Sequence, residues 1–204
     1  GRGADHVHTG RATRALQRAS AGIPDADSPV RSVRELVRRT DLLYAGCFVV
    51  ISYLVGPRVS EILHLKAGCV HRRSAEGASE PVTVMVGAIF KRQSGYHGRA
   101  HEWVAPPAAV QAVAALEALS AGHRAAAGRE ELWLRRRRGN GATEWHEAVP
   151  ELLEIPSTAR VNIQLGRFGA WLGLTYEGRT WKLTTHQGRK TFARFVALRD
   201  RTCL

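Results

Sequence analysis

The residues best suited to chemistry are His186 and Arg189, in the stretch Thr184-Thr185-His186-Gln187-Gly188-Arg189-Lys190-Thr191-Phe192. Two hydroxyl residues, followed by Phe192, Phe195 and Val196 at helical spacing, predict a helix whose free N–H groups Thr184 and Thr185 can cap. Three positions apart, His186 and Arg189 then share one face in its first turns. Backbone N–H groups, the helix dipole, an imidazole and a guanidinium point the same way, an arrangement that holds an anion, and the anion it predicts is a phosphate. A second His-x-x-Arg occurs at His8 and Arg11, so the pair by itself is not specific. It needs support from the elements around it.

That support begins upstream. Ser32-Val33-Arg34-Glu35 is a capping-box signature, and the helix it opens continues through Leu42, Leu43, Phe48, Val49, Ile51 and Leu54 until Gly56-Pro57 stops it. Arg58 to Lys66 predicts a second helix, with Pro57 near its first position and apolar residues at 59, 62, 63 and 65. Arg58 and Glu61 lie three apart on it, the spacing of an ordinary surface ion pair. Pro81 to Phe90, rich in β-branched residues, predicts a strand that runs out at Lys91. Ser94-Gly95-Tyr96-His97-Gly98 reads as the turn and His101 to Val104 as the returning strand.

Pro106-Pro107 leads into a helix from Ala108 to Leu119. Glu130 to Leu134 is a short apolar piece before Arg135-Arg136-Arg137-Arg138-Gly139, where a solvated loop and a DNA-backbone contact are equally good readings. Thr158 to Leu172 predicts an amphipathic helix with Val161, Leu165, Phe168 and Leu172 on one stripe, and Gly178 to Leu183 is its connector to the His186 helix. Residues 1–30, rich in Gly, Ala, Arg and Asp, read as a linker or the end of a missing N-terminal DNA-binding domain, with a short helix over Thr13 to Ala21; His6 and His8 read as an exposed tail. The expected fold class is mainly α with a small antiparallel β-sheet or hairpin.

Composition narrows the partner. The formal net charge is +12, and since Lys66, Lys91, Lys182 and Lys190 are the only lysines, the basic excess is arginine. Nucleic acid is the first partner to expect, an anionic membrane surface a distant second. No apolar run approaches the roughly 20 residues that span a bilayer, so no membrane partner is expected. Cys47, Cys69 and Cys203 are odd in number and lack metal-ligand or disulfide spacing, so neither metal nor other cofactor is expected, and a reducing cytoplasm fits best. A last apparent helix without a stop signal suggests a fragment.

Val55-Gly56-Pro57-Arg58-Val59-Ser60-Glu61-Ile62-Leu63-His64-Leu65 resembles the first Arg box of the tyrosine recombinases, or phage-type integrases, where Gly-x-Arg-x-Ser-Glu opens a helix. The order that follows is similar to that family too: a hairpin bearing a lysine, a set of helices, then His-x-x-Arg. The resemblance covers roughly residues 31–204, read as a recombinase catalytic domain incomplete at its C-terminus.

It implies that Arg58 and Arg189 are the two catalytic arginines, His186 a further donor, and Lys91 the acid that protonates the leaving 5′ oxygen. Those residue types suit the task. Arginine meets two phosphate oxygens with a planar, permanently charged fork, while lysine can give up a proton. The resemblance also implies a tyrosine nucleophile and a 3′-phosphotyrosine intermediate. Tyr44, Tyr53, Tyr96 and Tyr176 all precede Arg189, so no nucleophile is expected within the chain, which should bind DNA without cutting it. Gly188 and Lys190 stand where the family usually has an apolar residue and often His, and Pro57 where Leu is common.

Arg92, Arg99 and Lys190 are expected as weak DNA contacts. The partner implied is double-stranded DNA, engaged by a homo-tetramer of the full-length protein, with this chain alone a monomer of bacterial or phage origin. The competing reading is a non-catalytic DNA-binding protein, or a decayed mobile-element remnant, that keeps the fold. An RNA-binding protein is disfavoured, because no stretch resembles an aromatic stacking platform.

Overall fold

The computed structural model describes residues 30–74, 81–90, 98–136 and 150–199. The expected Thr13–Ala21 helix, the tail histidines, and the hairpin tip with Lys91 and Arg92 lie outside them. The described residues form helices with small antiparallel sheets, an α+β architecture.

Helix α1 (Val33–Leu54) is the element on which the other helices pack. Ser32 Oγ accepts from the Glu35 N–H at 3.2 Å, as a capping box requires, but the Glu35 carboxylate reaches one residue further back, to the Arg31 N–H at 2.9 Å. Tyr44, Phe48 and Ile51 line its buried side, whereas Leu43 and Leu54 stay exposed, so the apolar run is only partly core. α2 (Val59–Leu63) is shorter than the expected 58–66 helix, with Arg58 as its N-cap and Pro57 outside it. It ends because the chain turns away to pair: the Leu65 carbonyl accepts from Leu132 N–H at 2.9 Å, and Ala67 N–H donates to Glu130 at 2.9 Å.

The expected hairpin is a three-stranded antiparallel sheet in the order β1 (Val70–Arg73), β2 (Val82–Ile89), β3 (Arg99–Val104). β1 escaped the sequence reading because Val-His-Arg-Arg shows no apolar alternation; it is an edge strand with His71, Arg72 and Arg73 exposed. α3 (Pro107–Ala127) starts at Pro107 and runs past Leu119, since the alanine-rich segment continues and Gly122 costs a helix only about 1 kcal/mol. It closes on Gly128, in the left-handed region at φ 60°.

The arginine run is not all solvated loop. Arg135 and Arg136 form β4, paired with β5 (Leu153–Glu154) after a single 3-10 turn. The Arg135 side chain is largely buried, bonded to Asp41 of α1 and stacked 4.4 Å from the centre of the Tyr44 ring. Gln164 also donates to Asp41, and it lies on α4 (Thr158–Trp171), so this cluster ties β4 and α4 to α1. Leu172, expected on the buried stripe of α4, is exposed; Gly169 is buried there instead, against the Trp181 carbonyl and Leu183. The connector expected after α4 contains a two-residue hairpin, β6 (Thr175–Tyr176) and β7 (Arg179–Thr180). It delivers the chain to α5 (Thr185–Arg199).

One core unites these elements: Phe48 and Ile51 of α1 with Ile62, Met85, Leu116, Trp133 and Leu165. Burying each such side chain contributes about 1.5–3 kcal/mol. No helix among the described residues is long and apolar enough to cross a membrane.

The core also sets a limit at high pH. Burial pushes the Cys47 and Cys69 thiols up to about 11 from 9.0, and the Tyr44 hydroxyl up to about 12 from 10.0, against the opposing pull of Arg135. The fold accommodates the neutral forms, while the unfolded chain ionises first. Stability from these groups is therefore complete below about pH 9 and is lost as the pH climbs through the folded values. A melting temperature that holds steady from about pH 8 to pH 11 would contradict this assignment.

Candidate functional site

The site is built where α1 ends. Val55 and Gly56 N–H groups both bond the Ile51 carbonyl, at 3.0 and 3.4 Å, and Gly56 takes φ 81°. A side chain there is excluded twice, by backbone conformation and because a Cβ would lie 2.8 Å or less from ring carbons of Phe192 in α5. The turn hands the chain through Pro57 to Arg58, which caps α2.

Arg58 is held from beneath. Its backbone N–H and its Nη1 both donate to the Glu61 carboxylate, at 2.6 and 2.8 Å. Glu61 is 1% exposed, so the pair is not the ordinary surface pair its spacing suggested; the buried carboxylate orients a guanidinium that stays 33% exposed. Arg189 arrives from α5 and donates from Nη1 to the Gly56 carbonyl at 2.9 Å, two residues from Arg58. Each arginine thus spends one guanidinium N–H on the protein. Among the described residues neither guanidinium makes a further hydrogen bond or ion pair, Arg189 is exposed and Arg58 is 33% exposed, so both forks keep donors that a bound anion could use.

His186 is exposed on the first turn of α5, on the face of Arg189. The hydroxyl caps expected there do not form. Instead the Thr184 and Thr185 N–H groups themselves donate to amide side chains, Thr184 to Gln187 at 3.0 Å and Thr185 to Asn162 at 2.9 Å. Thr185 Oγ1 is buried and has no hydrogen-bond partner among the described residues. Phe192 packs over Gly56, but Phe195 is largely exposed, so the apolar stripe of α5 is only half used.

What seats α5 is Gly188, which is buried against α1. A Cβ at Gly188 would overlap Ser52 Oγ and lie 2.8 Å from Ser52 Cβ and 3.1 Å from the Tyr53 ring. The helices approach this closely only because position 188 has no side chain.

No protein-family model and no curated protein matches this chain. The site therefore rests on its geometry and on the resemblance of its motifs.

Of the residues singled out by sequence, Arg58 and Arg189 meet at one turn and His186 shares the helix of Arg189. Lys91 and Arg92 lie outside the described residues. Arg99 opens β3 opposite Ile89, beside the point where β2 runs toward Lys91, and Lys190 is exposed next to Arg189. Sequence reading missed Gly188 and the burial of Glu61. A glycine in a helix costs about 1 kcal/mol against alanine, which was the available signal for a close helix contact. Burial of Glu61 had no local signal.

Proposed function

We propose that this chain is the catalytic domain of a tyrosine-type site-specific DNA recombinase, in which Arg58, His186 and Arg189 clamp a phosphate of double-stranded DNA. The observation that carries the reading is the bond from Arg189 to the Gly56 carbonyl, which brings two part-exposed arginine forks from distant sequence to one turn. Charge building on the non-bridging oxygens during attack on phosphorus would meet fixed donors there, with His186 as a third. A tyrosine oxygen, its proton lost to solvent, would bond to phosphorus as the bond to the 5′ oxygen breaks, and Lys91 would give its own proton to that leaving oxygen. No tyrosine follows Arg189 in this sequence, so what these residues contribute is grip and charge stabilisation.

Duplex affinity is expected to fall steeply with salt, and Arg189→Ala to flatten the dependence by about one unit of log–log slope, whereas Arg58→Lys, which loses the fork but keeps the charge, weakens binding with the slope unchanged. Affinity that does not move between low and moderate salt contradicts the reading. For a longer form of the chain that carries a tyrosine beyond Arg189, trapping on a nicked duplex is expected to yield a covalent adduct that Arg189→Ala abolishes. Tight binding without an adduct would instead identify a DNA-binding protein on the same scaffold.

A further inference from the structure

The hairpin between α4 and α5 carries a surface that the clamp does not use. Its turn is Glu177-Gly178, with φ 50° and 73°, the left-handed pair of a two-residue type I′ turn. Glu177 is the one described non-glycine residue at positive φ. The tight turn sets Tyr176 opposite Arg179, and the Trp181 N–H extends the ladder by donating to Leu174 at 2.8 Å. The base is pinned to α4, where the Trp181 carbonyl lies against Gly169. Tyr176 and Trp181 therefore meet edge to face, centroids 5.3 Å apart at 82°, yet remain 59% and 41% exposed.

The surroundings are cationic. Arg179 and Lys182 are exposed, and no ion pair among the described residues holds them; Glu177 is the hairpin's own acid. Exposed aromatic faces among unneutralised cations form the pattern that binds single-stranded nucleic acid, rings stacking on bases while cations follow the phosphates. The interior of a duplex cannot occupy it, because neighbouring pairs cover its base faces. Trp181 precedes His186 by five residues, which caps their separation at about 18 Å. The sequence concealed this platform because its rings sit on either side of a turn.

We propose that Tyr176 and Trp181, flanked by Arg179 and Lys182, stack on unpaired bases of a DNA strand whose phosphate the arginine clamp holds; this rests on reading that clamp as a DNA site. The test is anisotropy with a labelled oligothymidylate and a labelled blunt duplex. The double variant Tyr176→Ala/Trp181→Ala is expected to bind the oligothymidylate about tenfold more weakly while duplex affinity changes by less than about twofold. Trp181→Phe, which keeps a ring, retains most of the single-strand affinity, and Arg179→Ala lowers its salt slope by about 0.7.

Equal loss on both ligands, or no loss on oligothymidylate, overturns the proposal. So does a concentration-dependent dimer that the double variant abolishes, since the rings would then form an interface between copies. The clamp is read on the duplex with Arg189→Ala, so either site can fail while the other stands.

Discussion

Gly188→Leu, which installs the kind of residue the recombinases usually carry before the second arginine, is expected to lower the melting temperature by roughly 5–10 °C. A leucine Cβ would collide with Ser52 and Tyr53 of α1, and neither can retreat, because Ser52 is buried and both belong to the helix on which the core is built. Overpacking of this kind costs about 1–3 kcal/mol. The same displacement lifts Arg189 from the Gly56 carbonyl, so duplex affinity falls with stability. A double-mutant cycle isolates the cause. Ser52→Gly removes the Cβ and hydroxyl that a Gly188→Ala methyl would meet, so the pair should be less destabilised than the sum of the singles by about 1 kcal/mol. Strict additivity would show that this contact does not set the helix spacing.

Arg58→Ala is expected to destabilise the fold by about 3 kcal/mol, the low end for breaking a buried pair, because one side of this pair still sees water. Glu61, 1% exposed in the intact pair, would lose its guanidinium partner and keep only the Arg58 N–H. Loss of DNA binding in that variant would therefore mix two effects. Arg58→Met/Glu61→Leu separates them: an apolar pair of similar size restores most of the stability, yet presents no fork to a phosphate. The thermal midpoint should recover while duplex affinity stays low and its salt slope stays about one unit shallower. Recovery of both would relieve Arg58 of its role in the clamp, and recovery of neither would mean that Glu61 supports α2 by its hydrogen bond to the Arg58 N–H instead.

Much of this arrangement was legible before folding. The Ser32 cap, the Gly56-Pro57 stop, the strands around Lys91, and the helices that begin near Pro107, Thr158 and Thr185 all follow from local chemistry: caps, forbidden dihedrals and hydrophobic period. The extreme arginine excess and the order of the Arg box and His-x-x-Arg were equally open to reading. Local signals failed where partners lie far apart in the chain. β1 has no alternation to announce it and exists because β2 offers it hydrogen bonds. Arg135 looked like one of four equivalent charges, and only Asp41 and the Tyr44 ring single it out.

By itself, then, the sequence determined where the main helices and the β2–β3 pair begin and which residue types stand in the Arg box and in His-x-x-Arg. Tertiary structure alone decided that Arg58 and Arg189 meet at the Gly56 turn, that Glu61 lies buried beneath one of them, and that Tyr176 and Trp181 form an exposed pair. The division has a physical cause. Helix caps and periodicity are written within a few residues, whereas burial and close approach depend on which surfaces of α1 and α5 meet, and a glycine reveals its purpose only when the helix it admits has arrived.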